Sequence, residues 1–178
     1  MRATEVIRRF DAAELSLCLL LNRGCTSRLM REFFGGVSRL GDGVFWYALI
    51  VALPLLFGES GRVPALQMAV TGLIGVGLYK ALKHTLVRER PFIHCDRIWL
   101  GTAPLDRYSF PSGHTLHAVS FTTMCASYFP ELGIVLVPFA LLVAASRVIL
   151  GLHYPTDVLA GAALGFGLAS ASLQVVGG

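Results

Sequence analysis

From Tyr108 to the C-terminus the only formally charged residues are Glu131, Arg147 and Asp157, and the stretches between them are apolar. Ionisable groups inside a bilayer are costly and are kept where function needs them. This spacing therefore constrains the fold more than any other feature of the chain. The whole sequence of 178 residues is 54% hydrophobic and 15% charged, with a mean hydropathy of +0.65. That exceeds what one soluble core needs and favours a single membrane domain over a soluble enzyme.

Five apolar stretches follow, at residues 43–57, 63–79, 113–128, 132–146 and 158–176. Several fall short of the roughly 20 residues that cross a bilayer upright, so uncharged flanks or local thinning must help. The prediction is an all-α integral membrane helical bundle of about five transmembrane helices. The first 40 residues differ, because Arg2, Arg8, Arg9, Arg23, Arg28, Arg31 and Arg39 punctuate them. Short apolar patches between these arginines predict two amphipathic helices lying in the interface, over residues 12–22 and 26–39. A secretory signal peptide fits poorly, since the apolar run is brief and arginines return at once. The expected division is an N-terminal interfacial segment, 1–40, and a membrane-embedded catalytic domain, 41–178.

Three clusters carry the chemistry. Lys83 stands seven residues ahead of Arg90-Pro91; Pro111 to His114 reads PSGH; Ser146-Arg147 is followed by His153 six residues after the arginine and Asp157 four beyond. In that order they are specific, and the chain resembles the type 2 phosphatidic acid phosphatase superfamily over roughly residues 40–175. With five spans, the second ends, the third begins and the fourth returns on the membrane face that holds the long 81–112 connection. All three motifs then meet on one face. Long loops of this kind are usually functional or mobile.

A phosphoester needs fixed cations and amide donors around its oxygens. Lys83, Arg90 and Arg147 supply the charge, the arginines with planar multi-point contacts and the lysine as a point charge. Ser112 and Gly113 precede an apolar span, so their hydroxyl and N–H groups sit at a helix N-terminus, a natural anion site. The resemblance implies the remaining roles. His153 attacks phosphorus in line and forms a phosphohistidine that water hydrolyses; Asp157 holds its other ring nitrogen and fixes the tautomer; His114 protonates the leaving alkoxide. No metal or other cofactor is expected, because the cationic clamp already neutralises phosphate.

Other residues have plainer readings. His117 lies one turn after His114 and such a pair could ligate a metal, but no Cys or carboxylate completes a set. Lys80, Arg88, Arg97 and Arg107 are read as interfacial anchors, His84 and His94 as interfacial or substrate-entrance residues, and Asp96 and Asp106 as solvated loop charges. Ser146 is read as a hydrogen-bonding group behind the clamp. Gly161 and Gly165, four apart, have the small-residue spacing that lets transmembrane helices approach closely. Cys18, Cys25, Cys95 and Cys125 show no metal spacing and imply no disulfide framework. No nucleic-acid motif is present, and the formal charge of +4 suits an anionic membrane surface.

The resulting expectation is a multi-pass enzyme of the cell (inner, cytoplasmic) membrane that hydrolyses a lipid phosphate or lipid pyrophosphate entering laterally from the bilayer. The resemblance admits phosphatidate, phosphatidylglycerol phosphate and polyprenyl pyrophosphate. The short chain, without a separate headgroup-reading domain, favours the last or a general lipid phosphate role. A lipid phosphotransferase would use the same phosphohistidine with an acceptor hydroxyl in place of water. Membrane embedding argues against the vanadium-dependent haloperoxidases of the same superfamily, and the gathering of polar residues at one face argues against a transporter. Oligomeric state is not legible. The arginine distribution puts the active-site face in the cytoplasm by the positive-inside rule, whereas the resemblance places it outside.

Overall fold

In the computed structural model, which describes residues 3–177, every regular element is helical. The α-helices are α1 (Ala3–Asn22), α2 (Arg28–Arg39), α3 (Phe45–Phe57), α4 (Glu59–Leu86), α5 (Pro91–His94), α6 (Gly113–Tyr128), α7 (Pro130–Ile149) and α8 (Pro155–Gly177). Local chemistry sets their starts. Ser27 and Ser112 cap α2 and α6 by accepting the N–H of Met30 and Thr115. Proline opens α5, α7 and α8, where its missing N–H costs nothing.

The N-terminal segment holds two separate helices, as expected, the first longer at its start than expected and the second ending at Arg39. The first helix already runs from Ala3, and α2 joins α3 through a kink at Leu40–Val44, where Asp42 and Gly43 leave helical geometry and Gly43 takes φ +124°. Together they make a kinked helical segment, Arg28–Phe57, long and apolar enough to cross a membrane. Glu59–His94, Pro130–Ile149 and Pro155–Val176 also qualify, giving four candidate spans of at least 18 residues among the described residues. The fifth apolar stretch is α6, only 16 residues long. It lies inside the bundle as its central apolar helix, with Leu116, Ala118, Phe121, Met124 and Cys125 all buried among α4, α7 and α8.

The packing of α8 on α6 positions the site. A β-carbon at Gly161 would collide with the Ser112 carbonyl, and one at Gly165 with the Leu116 carbonyl. The two glycines thus permit backbone-to-backbone contact and hold the PSGH segment against the third motif, the role expected from their spacing. A central core of Trp46, Leu53, Met68, Phe121, Met124 and Val143 ties α3, α4, α6 and α7 together. The N-terminal helix is fastened as well. Buried Asn22 donates to the carbonyls of Trp99 and Ile149 at 2.9 and 2.8 Å and accepts the Trp99 N–H at 2.7 Å. The four cysteines are free.

Candidate active site

Lys83, Arg90, Gly113, His114, Arg147 and His153 line one cavity of about 690 Å³. They come from the C-terminal end of α4, the loop after it, the start of α6, the end of α7 and the link to α8. That link turns at Gly151, whose φ of +74° is the left-handed conformation glycine adopts without strain. The N–H groups of Leu152 and His153 both reach back to the Arg147 carbonyl at 3.0 Å. The second arginine and the histidine are therefore held as one compact unit.

Arg90 is 1% exposed and stretches across the site. Its Nη1 donates to the Leu152 carbonyl at 2.8 Å and lies 3.3 Å from His153 Nε2. On the other side of the ring, His153 Nδ1 faces Asp157 Oδ2 at 3.5 Å. Asp157 is fully buried, accepting the Tyr154 N–H on Oδ2 at 2.9 Å and Arg88 Nη1 on Oδ1 at 2.7 Å. Burial, with Arg147, Arg90 and Lys83 adding like-charge repulsion, holds His153 well below the ordinary imidazole range. The ring is neutral at pH 7 with Nε2 toward the cations, as an in-line nucleophile requires.

Arg147 is buried and donates through Nη1 to Ser38 Oγ on α2. Its Nε, also buried, has no partner among the described residues. Gly113 lines the cavity, but Ser112 does not: its hydroxyl shares a hydrogen bond with Thr115 Oγ1 at 2.9 Å and its N–H is spent on the Asp157 carbonyl at 3.0 Å. The helix N-terminus is present, with Ser112 serving as its cap. His114 Nε2 stands 3.2 Å from Asp42 Oδ1, at the kink between α2 and α3. His117 instead meets the Gly72 carbonyl of α4 at 3.1 Å and stacks on Phe121, so the two histidines look in different directions. Among the described residues no cluster of His, Cys, Asp and Glu has the make-up of a metal site.

Two residues read as bystanders are parts of the site. Asp106 is not a free solvated charge: it pairs with Lys83 and Arg90, each at 2.7 Å. Burial pushes its carboxyl up, but the Lys83 ammonium and Arg90 guanidinium outweigh that and hold it below the usual carboxylate range. Arg88 is not an interfacial anchor. It stacks 4.0 Å from the Tyr154 ring centroid and bonds Asp157 directly. Lys80, Arg97, Arg107, His84 and His94 are exposed, and Asp96 is exposed too. Ser146 donates to the Val143 carbonyl within α7 at 2.6 Å, a local bond rather than a contact to the clamp.

The family profile described as PAP2 superfamily matches residues 64–178, which include all three motifs. The chain belongs to the PAP2 superfamily. It is 30% identical over 143 residues to an undecaprenyl-diphosphatase of Sulfolobus acidocaldarius, covering 78% of this chain and 67% of that protein. It is 34% identical over 114 residues to the undecaprenyl-diphosphatase BcrC of Bacillus subtilis, covering 64% and 58%. Among solved structures, the PAP2-type phosphatidylglycerolphosphate phosphatase of Bacillus subtilis superposes with a TM-score of 0.72 at 27% identity, covering 98% of this PAP2 chain and 88% of that one. LpxE of Aquifex aeolicus gives 0.73 at 27% identity, covering 90% and 94%.

Proposed function

We propose that this chain is a membrane hydrolase that removes a phosphoryl group from a lipid phosphate or lipid diphosphate through a phosphohistidine on His153. Membership of the PAP2 superfamily and the likeness to membrane lipid phosphatases support hydrolysis as the activity. One observation carries the lipid substrate: the cavity that holds the cations is continuous with an apolar arm between α3 and α4. Ile50, Val51, Met68, Leu73 and Val76 line that arm, and Val51 and Leu73 are exposed at 61% and 75% on the outer surface of the bundle. A headgroup can sit among Lys83, Arg90 and Arg147 while its hydrocarbon chain passes sideways into the bilayer.

In this reading the three cations and the α6 N-terminus take the phosphoryl oxygens, which favours the charge of the transferring group. His153 Nε2 attacks phosphorus, the P–O bond to the lipid breaks, and His114, protonated once the phosphate's negative charge offsets the cations around it, gives the leaving oxygen its proton. Water then attacks the phosphohistidine, returning its proton to His114 and releasing inorganic phosphate. Asp157 stabilises the positive charge the imidazole gains. A polyprenyl diphosphate is the favoured substrate, because so short a chain carries no separate headgroup-reading domain, and the membrane is the cell (inner) membrane.

The test is phosphate release by purified protein in detergent from polyprenyl diphosphate, phosphatidylglycerol phosphate and phosphatidate. Polyprenyl diphosphate should be turned over fastest. His153→Ala should abolish turnover while the protein stays folded in the membrane, and Asp157→Asn should be severe but milder. More than about a tenth of wild-type kcat in His153→Ala would sink the phosphohistidine. Transfer of phosphate to an added lipid or sugar hydroxyl, with little free phosphate, would mark a phosphotransferase instead.

A further inference from the structure

We propose that Glu14 and Arg88 are positioning residues for the reaction, forming a chain Glu14–Arg88–Asp157–His153 that makes the N-terminal helix part of the active-site machinery. This rests on the reading of His153 as nucleophile. Glu14 comes from the polar stripe of an amphipathic helix, yet its side chain is only 4% exposed. Its Oε2 accepts from Arg88 Nη2 at 2.6 Å. Its Oε1 accepts the Thr156 N–H at 2.8 Å and the Thr156 hydroxyl as well, so the same carboxylate occupies the N-terminus of α8, where negative charge is favoured.

Arg88 is the joint. Nη1 donates to Asp157 Oδ1 at 2.7 Å and to Thr156 Oγ1 at 2.8 Å, while Nη2 is held by Glu14 and the guanidinium plane lies on Tyr154. Asp157 thus has one oxygen fixed by Arg88 and the other by the Tyr154 N–H, facing His153 Nδ1. The carboxylate cannot rotate away from the ring without breaking a charge-assisted bond.

Charge counting gives Glu14 its part. Left alone with Arg88, the buried Asp157 carboxylate would be fully neutralised and would pull weakly on the imidazole. With Glu14 sharing the guanidinium, the trio carries one net negative charge beside His153, and that charge counters the positive ring of the phosphohistidine. The interaction strengthens only as the reaction proceeds, so its loss should appear in kcat and not in substrate binding. The cations that hold phosphate are elsewhere in the cavity, on Lys83, Arg90 and Arg147.

The experiment compares Glu14→Gln, Arg88→Lys and His153→Ala with wild type. It uses full-length protein in detergent and whichever of polyprenyl diphosphate and phosphatidate the wild type turns over faster. Glutamine keeps the shape and its amide oxygen can still accept from Thr156, but its NH₂ then faces Arg88 Nη2 donor to donor, so the variant removes the charge and the bond to Arg88 together. The expected result for Glu14→Gln is a roughly tenfold fall in kcat, with KM and the inhibition constant of inorganic phosphate unchanged and the thermal midpoint lowered by the lost buried ion pair. Arg88→Lys should lower kcat further, since an ammonium cannot bridge two carboxylates as a fork does. A Glu14→Gln kcat within twofold of wild type overturns the proposal. So does a fall in kcat that travels with weaker phosphate inhibition, because that is the signature of a clamp disturbed through packing. Activity in His153→Ala would bring down the nucleophile assignment first, whereas a dead His153→Ala beside a fully active Glu14→Gln removes the positioning chain alone.

Discussion

The Asp106 carboxylate meets the Lys83 ammonium through both oxygens, at 2.8 and 2.7 Å, inside the cavity that would receive a phosphate. Its Oδ1 also accepts from Arg90 Nη2 at 2.7 Å. Two of the three clamp cations therefore already hold an anion, supplied by the loop between α5 and α6.

A phosphate must displace that carboxylate or share its donors. Asp106 is 39% exposed, so the competing pair is screened and worth about 1 kcal/mol at most. Asp106→Asn should accordingly tighten inhibition by inorganic phosphate about fivefold. The measurement is the inhibition constant in a phosphatase assay. Weaker inhibition in the variant would mean that Asp106 organises the clamp instead of competing for it.

His153 is held well below the usual imidazole range by burial and by the cations around it. It should stay neutral as pH falls through 6.5, and histidine-selective ¹⁵N NMR in detergent micelles can follow it. Titration at or above pH 6.5 would contradict the neutral nucleophile. The sign for stability follows: the unfolded chain binds a proton near pH 6.5 that the folded chain refuses, so this group costs stability as pH falls below that value.

Packing of α8 on α6 holds the start of α6, which carries His114. Gly161→Ala places a methyl group against the Ser112 carbonyl, which must shift the α6 N-terminus and His114 with it. A displacement near 1 Å at reacting groups can cost about 10²-fold in rate. Gly161→Ala should lower kcat by at least tenfold. Gly167→Ala, where an added β-carbon meets nothing within 4 Å, should be silent. Equal activity in the two would show that the backbone contact is not needed for catalysis.

The convergence of Lys83, Arg90, His114, Arg147 and His153 was legible because helix ends and short links fix which face each residue reaches. Partners chosen by tertiary proximity were not. Glu14 has the hydropathy of any polar-stripe residue, and nothing local says that its carboxylate meets Thr156, 142 positions away. Arg88 and Asp106 read as surface charges for the same reason: both lie in polar segments, and only the fold supplies Asp157 and Lys83 beside them. Ser38 carried no signal at all until Arg147 reached it. The kink at Asp42–Gly43, where Gly43 takes a positive φ, brings Asp42 to His114, a pairing the local sequence does not announce. Ser112 shows the converse: a capping serine and a phosphate-binding serine have the same local sequence, and its own helix claims the hydroxyl.

Metal dependence separates the cationic clamp from its chemical rivals. If Lys83, Arg90, Arg147 and the amides at the start of α6 meet the developing charge, turnover of a lipid phosphate should persist in excess EDTA. Vanadate should inhibit, because it can take five-coordinate geometry with His153 Nε2 at an apical position, and mimics of a transition state bind more tightly than substrates. Arg147→Lys should weaken that inhibition and turnover together by about 10- to 100-fold, the range for a lost charge-assisted hydrogen bond, since an ammonium cannot reproduce the planar two-point contact. The structure adds a control: Ser38→Ala removes the partner that orients the Arg147 guanidinium without removing its charge, and should give a smaller loss in the same direction. Activity lost in EDTA and restored by Mg²⁺ or Zn²⁺ would overturn the clamp mechanism and return attention to the carboxylate nearest His114, Asp42.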